Sequence, residues 1–281
     1  MSKKIILITG CSTGIGNEAA LALSKRGHRV IASCRKEQDV NKLVAQGLET
    51  VRIDVNDEAS IASGFAEFCE KTSGRIDVLI NNAGYGQAGA LEDLPRHALR
   101  AQFETNVFGL MDLTRLVIPL MRQQGHGRII NISSILGIIS LPFRGAYNAS
   151  KYAVEGLTDT LRLELQPAGI EVIAIEPGPI ESQFRSSSVD NSLKQIDIER
   201  SYFKVQYQHM LTFYREQKSD SMFTKTPEAV ISKLIHAIEA AKPRPKYPVT
   251  LPAHSLIWLK RLLSAKMLNR LLAYLSKKEM N

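Results

Sequence analysis

The chain has 281 residues, enough for one large α/β domain or two small ones, and one is expected. Apolar residues make up 44%, as in an ordinary globular enzyme, and Cys11, Cys34 and Cys69 have neither CxxC spacing nor a histidine cluster beside them, which argues against a disulfide framework or a structural zinc. A formal charge of +8 suits nucleic acid, anionic lipid or a phosphorylated ligand, but no nucleic-acid-binding motif accompanies it, so no nucleic-acid partner is expected.

Lys4 to Ile8 reads as a strand buried on both faces, and it is too short for a signal peptide or a membrane span. The expected location is cytoplasmic, at most peripheral on the cytosolic face of a membrane. The strand runs into Thr9-Gly10-Cys11-Ser12-Thr13-Gly14-Ile15-Gly16, followed by a helical stretch from Asn17 to Arg26. Strand, glycine loop and helix together set a pyrophosphate against a helix N-terminus, which favours the anion. The spacing is Gly-x3-Gly-x-Gly, not GxGxxG; a tight βα turn is the bland reading of the same residues.

Arg29 to Cys34 reads as the second strand, followed by Arg35 and Lys36 in place of a carboxylate. A cation there can pair with a 2′-phosphate, so the sequence leans to NADP over NAD. Leu48 to Ile53 is a third strand, ending at Asp54 and Val55, and Asp54 could accept from an adenine amino group. Ser60 to Thr72 is helical, and Ile76 to Ile80 is a fourth strand followed by Asn81-Asn82-Ala83-Gly84, small residues that allow close approach. Asn106 falls inside a long helical stretch, where an Asn is mildly unfavourable and invites a reason.

Gly127 to Ser134 is a fifth strand ending in two serines. Tyr147 and Lys151 follow, four apart and so on one face of a helix. A phenol titrates near pH 10, and an ammonium one turn away favours the phenolate. Ile170 to Glu176 is a sixth strand closed by Pro177-Gly178-Pro179, and ligands collect at the carboxyl ends of such strands. Pro179 to Thr226 mixes Ser186-Ser187-Ser188 with Phe184, Tyr202, Phe203, Tyr207, Phe213 and Tyr214, in the manner of a substrate lid over about 183–225. Thr226-Pro227 starts another helix, and Lys246 to Leu251 reads as the last strand.

The tail from Ala253 to Lys278 reads as one amphipathic helix. Leu256, Leu259, Leu263, Met267, Leu271 and Leu275 recur at three- and four-residue steps beside Lys260, Arg261, Lys266, Arg270, Lys277 and Lys278. Such a helix can lie on an anionic membrane, cover a pocket or join subunits. The division expected is 1–252 for the nucleotide-binding domain with its lid and 253–281 for the tail.

Six motifs in this order resemble the short-chain dehydrogenase/reductase family: Thr9-Gly10…Gly14-Ile15-Gly16, Asn81-Asn82-Ala83-Gly84, Asn106, Ser134, Tyr147…Lys151 and Pro177-Gly178. The resemblance covers about residues 3 to 183. It implies a doubly wound Rossmann domain, a mainly parallel seven-stranded sheet with helices on both faces. It also implies hydride transfer between NADP(H) and a carbonyl or alcohol. Tyr147 would be the acid or base, Lys151 would lower its pKa and hold the nicotinamide ribose, Ser134 would bind the substrate oxygen, and Asn106 would place a relay water. Gly10, Ser12, Thr13, Gly14, Ile15, Gly16, Arg35, Asp54, Val55, Asn82, Ala83, Gly84, Pro177, Gly178, Ile180 and Ser182 would line the cofactor. Ser182 stands where the family often has Thr. Within the family, Thr9-Gly10-Cys11-Ser12, Ala32-Ser33-Cys34-Arg35 and Ile175-Glu176-Pro177-Gly178-Pro179-Ile180 resemble the 17β-hydroxysteroid and retinol dehydrogenases and related bacterial NADP-dependent aldehyde reductases. The apolar lid and tail suggest a lipophilic substrate; a polar or acyl-chain ketoreductase and a non-catalytic NADP sensor stay open, as does assembly into a homo-oligomer.

Overall fold

The computed structural model describes residues 3–181, 193, 195–216 and 224–280, with the backbone alone at 213–216 and 278–280. Seven strands build one sheet: β1 Ile5–Ile8, β2 Arg29–Cys34, β3 Glu49–Arg52, β4 Val78–Asn81, β5 Gly127–Ile132, β6 Ile170–Glu176 and β7 Lys246–Pro248. Their order is β3-β2-β1-β4-β5-β6-β7 and every neighbouring pair is parallel. The helices are α1 Gly14–Lys25, α2 Glu37–Ala45, α3 Glu58–Thr72, α4 Arg96–Phe103, α5 Gly109–Gln124, α6 Gly145–Leu165, α7 Lys204–Glu216, α8 Glu228–Glu239, α9 Leu251–Leu262 and α10 Ala265–Met280. This is the doubly wound arrangement expected from the sequence.

Strands covered on both faces need apolar residues at consecutive positions. Ile6 and Ile8 pack with Ala19 and Leu23 of α1, Leu43 of α2 and Leu234 of α8 on one face. Leu7 packs with Phe68 of α3, Val117 of α5 and Leu161 of α6 on the other. From β1 the chain winds outward through β2 and β3, then crosses back to β4. The carboxyl ends of β1 and β4 therefore flank a crevice, the place where such sheets hold ligands.

Several boundaries differ from the sequence reading for local reasons. α1 begins at Gly14, so Gly14 and Gly16 belong to its first turn. β7 stops at Pro248 because Thr250 caps α9, its hydroxyl accepting from the Ala253 amide at 3.3 Å. The helical stretch around Asn106 is two helices joined by a π-turn over Glu104–Phe108. The tail is two helices with Leu263 and Ser264 between them. It buries Ala253, Leu268 and Leu272 against Ile135 and Ile139, with Leu256 and Leu263 alongside. Met267 and Leu275, members of the same apolar spacing, are about half exposed. The break resets the helical phase, and the apolar loop after β5 selects which face is covered.

In the lid, α7 is anchored by the fully buried Tyr207, whose hydroxyl donates to Asp93 Oδ2 at 2.8 Å and accepts from the Ala90 amide at 2.8 Å. Phe143 meets the rings of Phe203 and Tyr207 edge-on. Ser182, Phe184 and Ser186-Ser187-Ser188 lie outside the described residues, as do the side chains of Phe213 and Tyr214.

Candidate active site

The glycine loop is held from below by a residue that motif reasoning left unassigned. Thr9 is buried at the end of β1, and its hydroxyl accepts from the amides of Asn82 at 3.0 Å and Ala83 at 2.9 Å. Asn82 returns the contact, its side-chain amide donating to the Thr9 carbonyl at 2.9 Å and the Gly10 carbonyl at 3.0 Å. The two strand ends are thus laced together across the crevice. Gly10 has φ +71°, and a Cβ there would stand 2.7 Å from Ala83 Cα; one on Gly16 would stand 2.5 Å from Asn82 Nδ2. Only glycine fits at both, and the floor of the crevice stays open to an incoming diphosphate at the α1 N-terminus. Asn82 therefore shapes the loop and spends its amide on it. Ser12 and Thr13 are exposed at the rim, and Ile15 is half-buried.

Arg35 is exposed beyond the end of β2, as expected. Arg52, opposite Cys34 in the β2–β3 register, joins it by donating Nε to the Arg35 carbonyl at 3.2 Å. The sequence reading missed this second cation, whose signal was its place two residues before Asp54. Asp54 holds its own turn, Oδ1 accepting from the Asn56 amide at 3.0 Å. The Val55 carbonyl packs where a Cβ on Gly109 would otherwise sit, which brings the π-turn close to this edge of the crevice. At the far side, the Pro177 carbonyl accepts from the Ile135 amide at 2.9 Å, Gly178 packs against the Thr250 side chain, and Ile180 is buried.

The chemistry-bearing residues converge as the motifs implied. Ser134 follows β5 and its hydroxyl is hydrogen-bonded with the Tyr147 phenol at the start of α6. The same hydroxyl accepts from the Leu136 amide at 3.1 Å, which fixes its direction. Lys151, one turn on, is buried and donates to the Ile132 carbonyl at 2.7 Å, with its ammonium 5.7 Å from the Tyr147 ring centre. Asn106 sits in the π-turn, a distortion often found at functional sites. Its Nδ2 donates to Ser150 Oγ and to the Tyr85 carbonyl, both at 3.0 Å, and its Oδ1 accepts from the Tyr85 amide at 3.1 Å. Asn106 therefore clamps the stretch after Gly84 onto α6; Ser150 is a partner that the motifs did not name.

The surrounding protein disfavours charge on both central groups. Burial pushes the Tyr147 phenol up to about 12, against the bond with Ser134, which lowers it. Burial brings Lys151 down to about 8, against the Glu155 carboxylate, which raises it. Near neutrality Tyr147 is a proton donor and Lys151 a cation. The lowering of the phenol expected from Lys151 is not what sets it in the protein alone, because burial dominates.

An apolar groove of about 780 Å³ runs past Ala90, Leu91, Leu141, Pro142, Phe143 and Phe203. Its α6 lining is Gly145, Asn148, Ala149 and Tyr152, none on the Tyr147–Lys151 face.

A sheet of this order with a Ser after β5 and a Tyr and a Lys on the helix that follows defines a short-chain dehydrogenase, and the chain belongs to that family: the short chain dehydrogenase model matches residues 4–192. It is 39% identical over 270 residues to the uncharacterized oxidoreductase YbbO of Escherichia coli K12, covering 96% of this chain and 94% of that one. It is 33% identical over 266 residues to human 17-beta-hydroxysteroid dehydrogenase type 1, covering 89% and 78%. Among solved structures, an NADPH-bound variant of actinorhodin polyketide ketoreductase superposes with a TM-score of 0.72 at 28% identity, over 89% of this chain and 97% of that one. Among the described residues, no helix is long and apolar enough to cross a membrane.

Proposed function

We infer that the chain is an NADP(H)-dependent oxidoreductase that interconverts a carbonyl and an alcohol on a lipophilic substrate. The observation that carries this is the Tyr147 phenol, hydrogen-bonded with Ser134 and followed one turn later by the buried cation of Lys151. The glycine cradle fits a dinucleotide, and Arg35 with Arg52 supplies two cations where a 2′-phosphate would lie. Bound there, the cofactor supplies the hydride.

The chain's residues do the rest. Ser134 donates to the substrate oxygen and stabilises the negative charge that grows on it. Tyr147, neutral in the protein, gives that oxygen its proton in reduction and takes one in oxidation. Lys151 binds the sugar hydroxyls and favours the phenolate once it forms. Asn106 acts through Tyr85 and Ser150 as a positioning residue. The lipophilic reading is supported by the aromatic lid and by the steroid named for one relative. Retinal, a steroid ketone, an aliphatic aldehyde and an acyl-chain ketone, each followed by NADPH absorbance, test it. Turnover confined to polar sugars, or absent throughout, contradicts it.

The tail extends this reading. Its inner face covers the loop after Ser134, and its outer face leaves Trp258, Leu262 and Tyr274 mostly exposed beside Lys266, Arg270 and Lys277. Aromatic and basic residues together suit an anionic lipid surface on the cytosolic side. Flotation with phosphatidylserine vesicles at rising salt tests this. Salt-sensitive binding supports it, whereas a dimer in light scattering without lipid binding assigns the face to a second copy.

A further inference from the structure

Among the described residues, Ser73 and Phe143 are the non-glycine residues with a positive φ, at +53° and +57°. Ser73 ends α3, where a left-handed residue is an ordinary helix stop. Phe143 ends no helix. It stands in the turn that leads into α6, four residues before Tyr147. At this φ the Cβ of an L residue crowds the following carbonyl oxygen, so glycine would hold the turn at less cost.

What phenylalanine adds is its ring. The ring is edge-on to Phe203 and to Tyr207, with centres 5.2 and 5.5 Å away. Both partners belong to the lid: Phe203 directly precedes α7 and Tyr207 lies in its first turn. The backbone of the same turn is tied to the loop after β4. The Phe143 carbonyl accepts from the Gly89 amide at 3.0 Å, and a parallel bridge pairs Gly89 with Arg144. The next amide in that loop, Ala90, donates to the Tyr207 hydroxyl, which itself donates to Asp93 Oδ2. Ser201 Oγ donates to the same oxygen at 2.7 Å and accepts from the Phe203 amide at 2.9 Å. Turn, loop and lid thus close a ring of direct contacts.

The start of α6 depends on that ring. Its N-cap residue, Arg144, provides no side-chain cap, and Tyr147 is the third residue of the helix, in the turn where helices fray. Asn148 ties this turn back, its amide donating to the Arg144 carbonyl at 2.7 Å and its side chain to the Leu141 carbonyl at 2.9 Å. Ala146, beside Tyr147, is fully buried in one cluster with Phe143, Tyr207 and Met210. Turn chemistry alone favours glycine at 143; the lid contact is what favours the ring.

We propose that Phe143 is a positioning residue through which the docked lid holds Tyr147 in place for proton transfer. It rests on the reading of Tyr147 as the acid and base. The lid contacts offset the strained turn, the turn fixes the first residues of α6, and Tyr147 is fixed with them against Ser134. When the lid loosens, the phenol keeps its chemistry and loses its direction. Lys151 lies a turn deeper and is held by the Ile132 carbonyl, so the linkage bears on kcat and not on NADPH affinity.

The test uses Phe143→Gly, Tyr207→Phe and the double variant, with Tyr147→Phe as control. Phe143→Gly eases the turn and removes the ring. Tyr207→Phe removes the hydroxyl and keeps the packing volume, so it carries the test if the glycine variant does not fold. With the fastest carbonyl of the panel, kcat should fall about tenfold in Phe143→Gly and about threefold in Tyr207→Phe, with NADPH affinity within about threefold of wild type. The double variant should fall no further than Phe143→Gly, because both changes act through one linkage. Hydrogen exchange gives a readout that needs no turnover. Amides from Asn148 to Tyr152 should exchange about tenfold faster in Tyr207→Phe, although the substitution lies in the lid. Faster exchange there, or a non-additive loss of kcat, supports the linkage. Wild-type kcat in Phe143→Gly, additive losses, or wild-type exchange at α6 in Tyr207→Phe overturns it. If Tyr147→Phe is dead while Phe143→Gly turns over as wild type, only the linkage fails; if Tyr147→Phe is active, the reading beneath it fails.

Discussion

Thr9→Val tests whether the hydroxyl beneath the glycine loop holds the cofactor crevice in shape. Valine matches the branching of threonine, so β1 keeps its packing. What is lost is the acceptor for the Asn82 and Ala83 amides, now at 3.0 and 2.9 Å. An amide stripped of its partner loses roughly 1–3 kcal/mol, which sets the range for the pair at about 2–6 kcal/mol. Asn82 and Ala83 are half-buried, so water recovers part of this and the loss falls near the lower end, about 2 kcal/mol. If the laced arrangement is the one that binds, the same energy weakens NADPH by up to about 30-fold, because 1.4 kcal/mol is a factor of ten. Urea unfolding gives the stability change and NADPH fluorescence titration gives the affinity. Thr9→Ser keeps the hydroxyl and should restore both to near wild type. A valine variant within about 0.5 kcal/mol of wild type, binding NADPH equally well, would refute the reasoning.

Arg35→Asp should lower kcat/KM for NADPH relative to NADH, and Arg52→Ala should do so more weakly; an unchanged ratio in both removes the two arginines from cofactor choice. Glu176→Gln should stabilise the protein in a pH-dependent way. Raised from an ordinary 4.5 to about 7, the folded carboxyl keeps a proton that the unfolded chain has already released, so wild-type stability falls as pH rises through that window. The variant's advantage should grow from near zero at about pH 4 toward about 3 kcal/mol at about pH 8, and a constant difference in urea titrations would contradict it. Gly178→Ala should disrupt the turn after β6, because its methyl would collide with Thr250 Oγ1; an alanine variant with wild-type melting and NADPH binding would show that the turn yields freely.

The parts of the site legible in the sequence are those carried by short-range signals. The strand, glycine loop and helix at Ile5–Lys25 and the one-turn spacing of Tyr147 and Lys151 follow from local periodicity and turn chemistry. Asn106 announced itself as an awkward residue in a helix, but its π-turn is fixed at long range, by Gly109 packing under Val55 and by Thr105 donating to Asn56 at 2.7 Å. The tail's apolar spacing was visible. Its break at Leu263–Ser264 carries no Gly or Pro, and the covered face depends on Ile135 and Ile139, more than a hundred residues earlier. Glu155 could have been read as the next turn of the Tyr147–Lys151 stripe. Lys246 joins it only through the β6–β7 register.

The most direct measurement on the central claim is the turnover of Tyr147→Phe with the best carbonyl of the panel, beside its NADPH affinity. The ring stays and the proton goes. Turnover should fall by at least about 100-fold, the scale of a lost general acid, with NADPH affinity within about threefold of wild type. Near wild-type turnover in a variant that still binds NADPH would contradict the assignment of Tyr147 as the acid and base of this site.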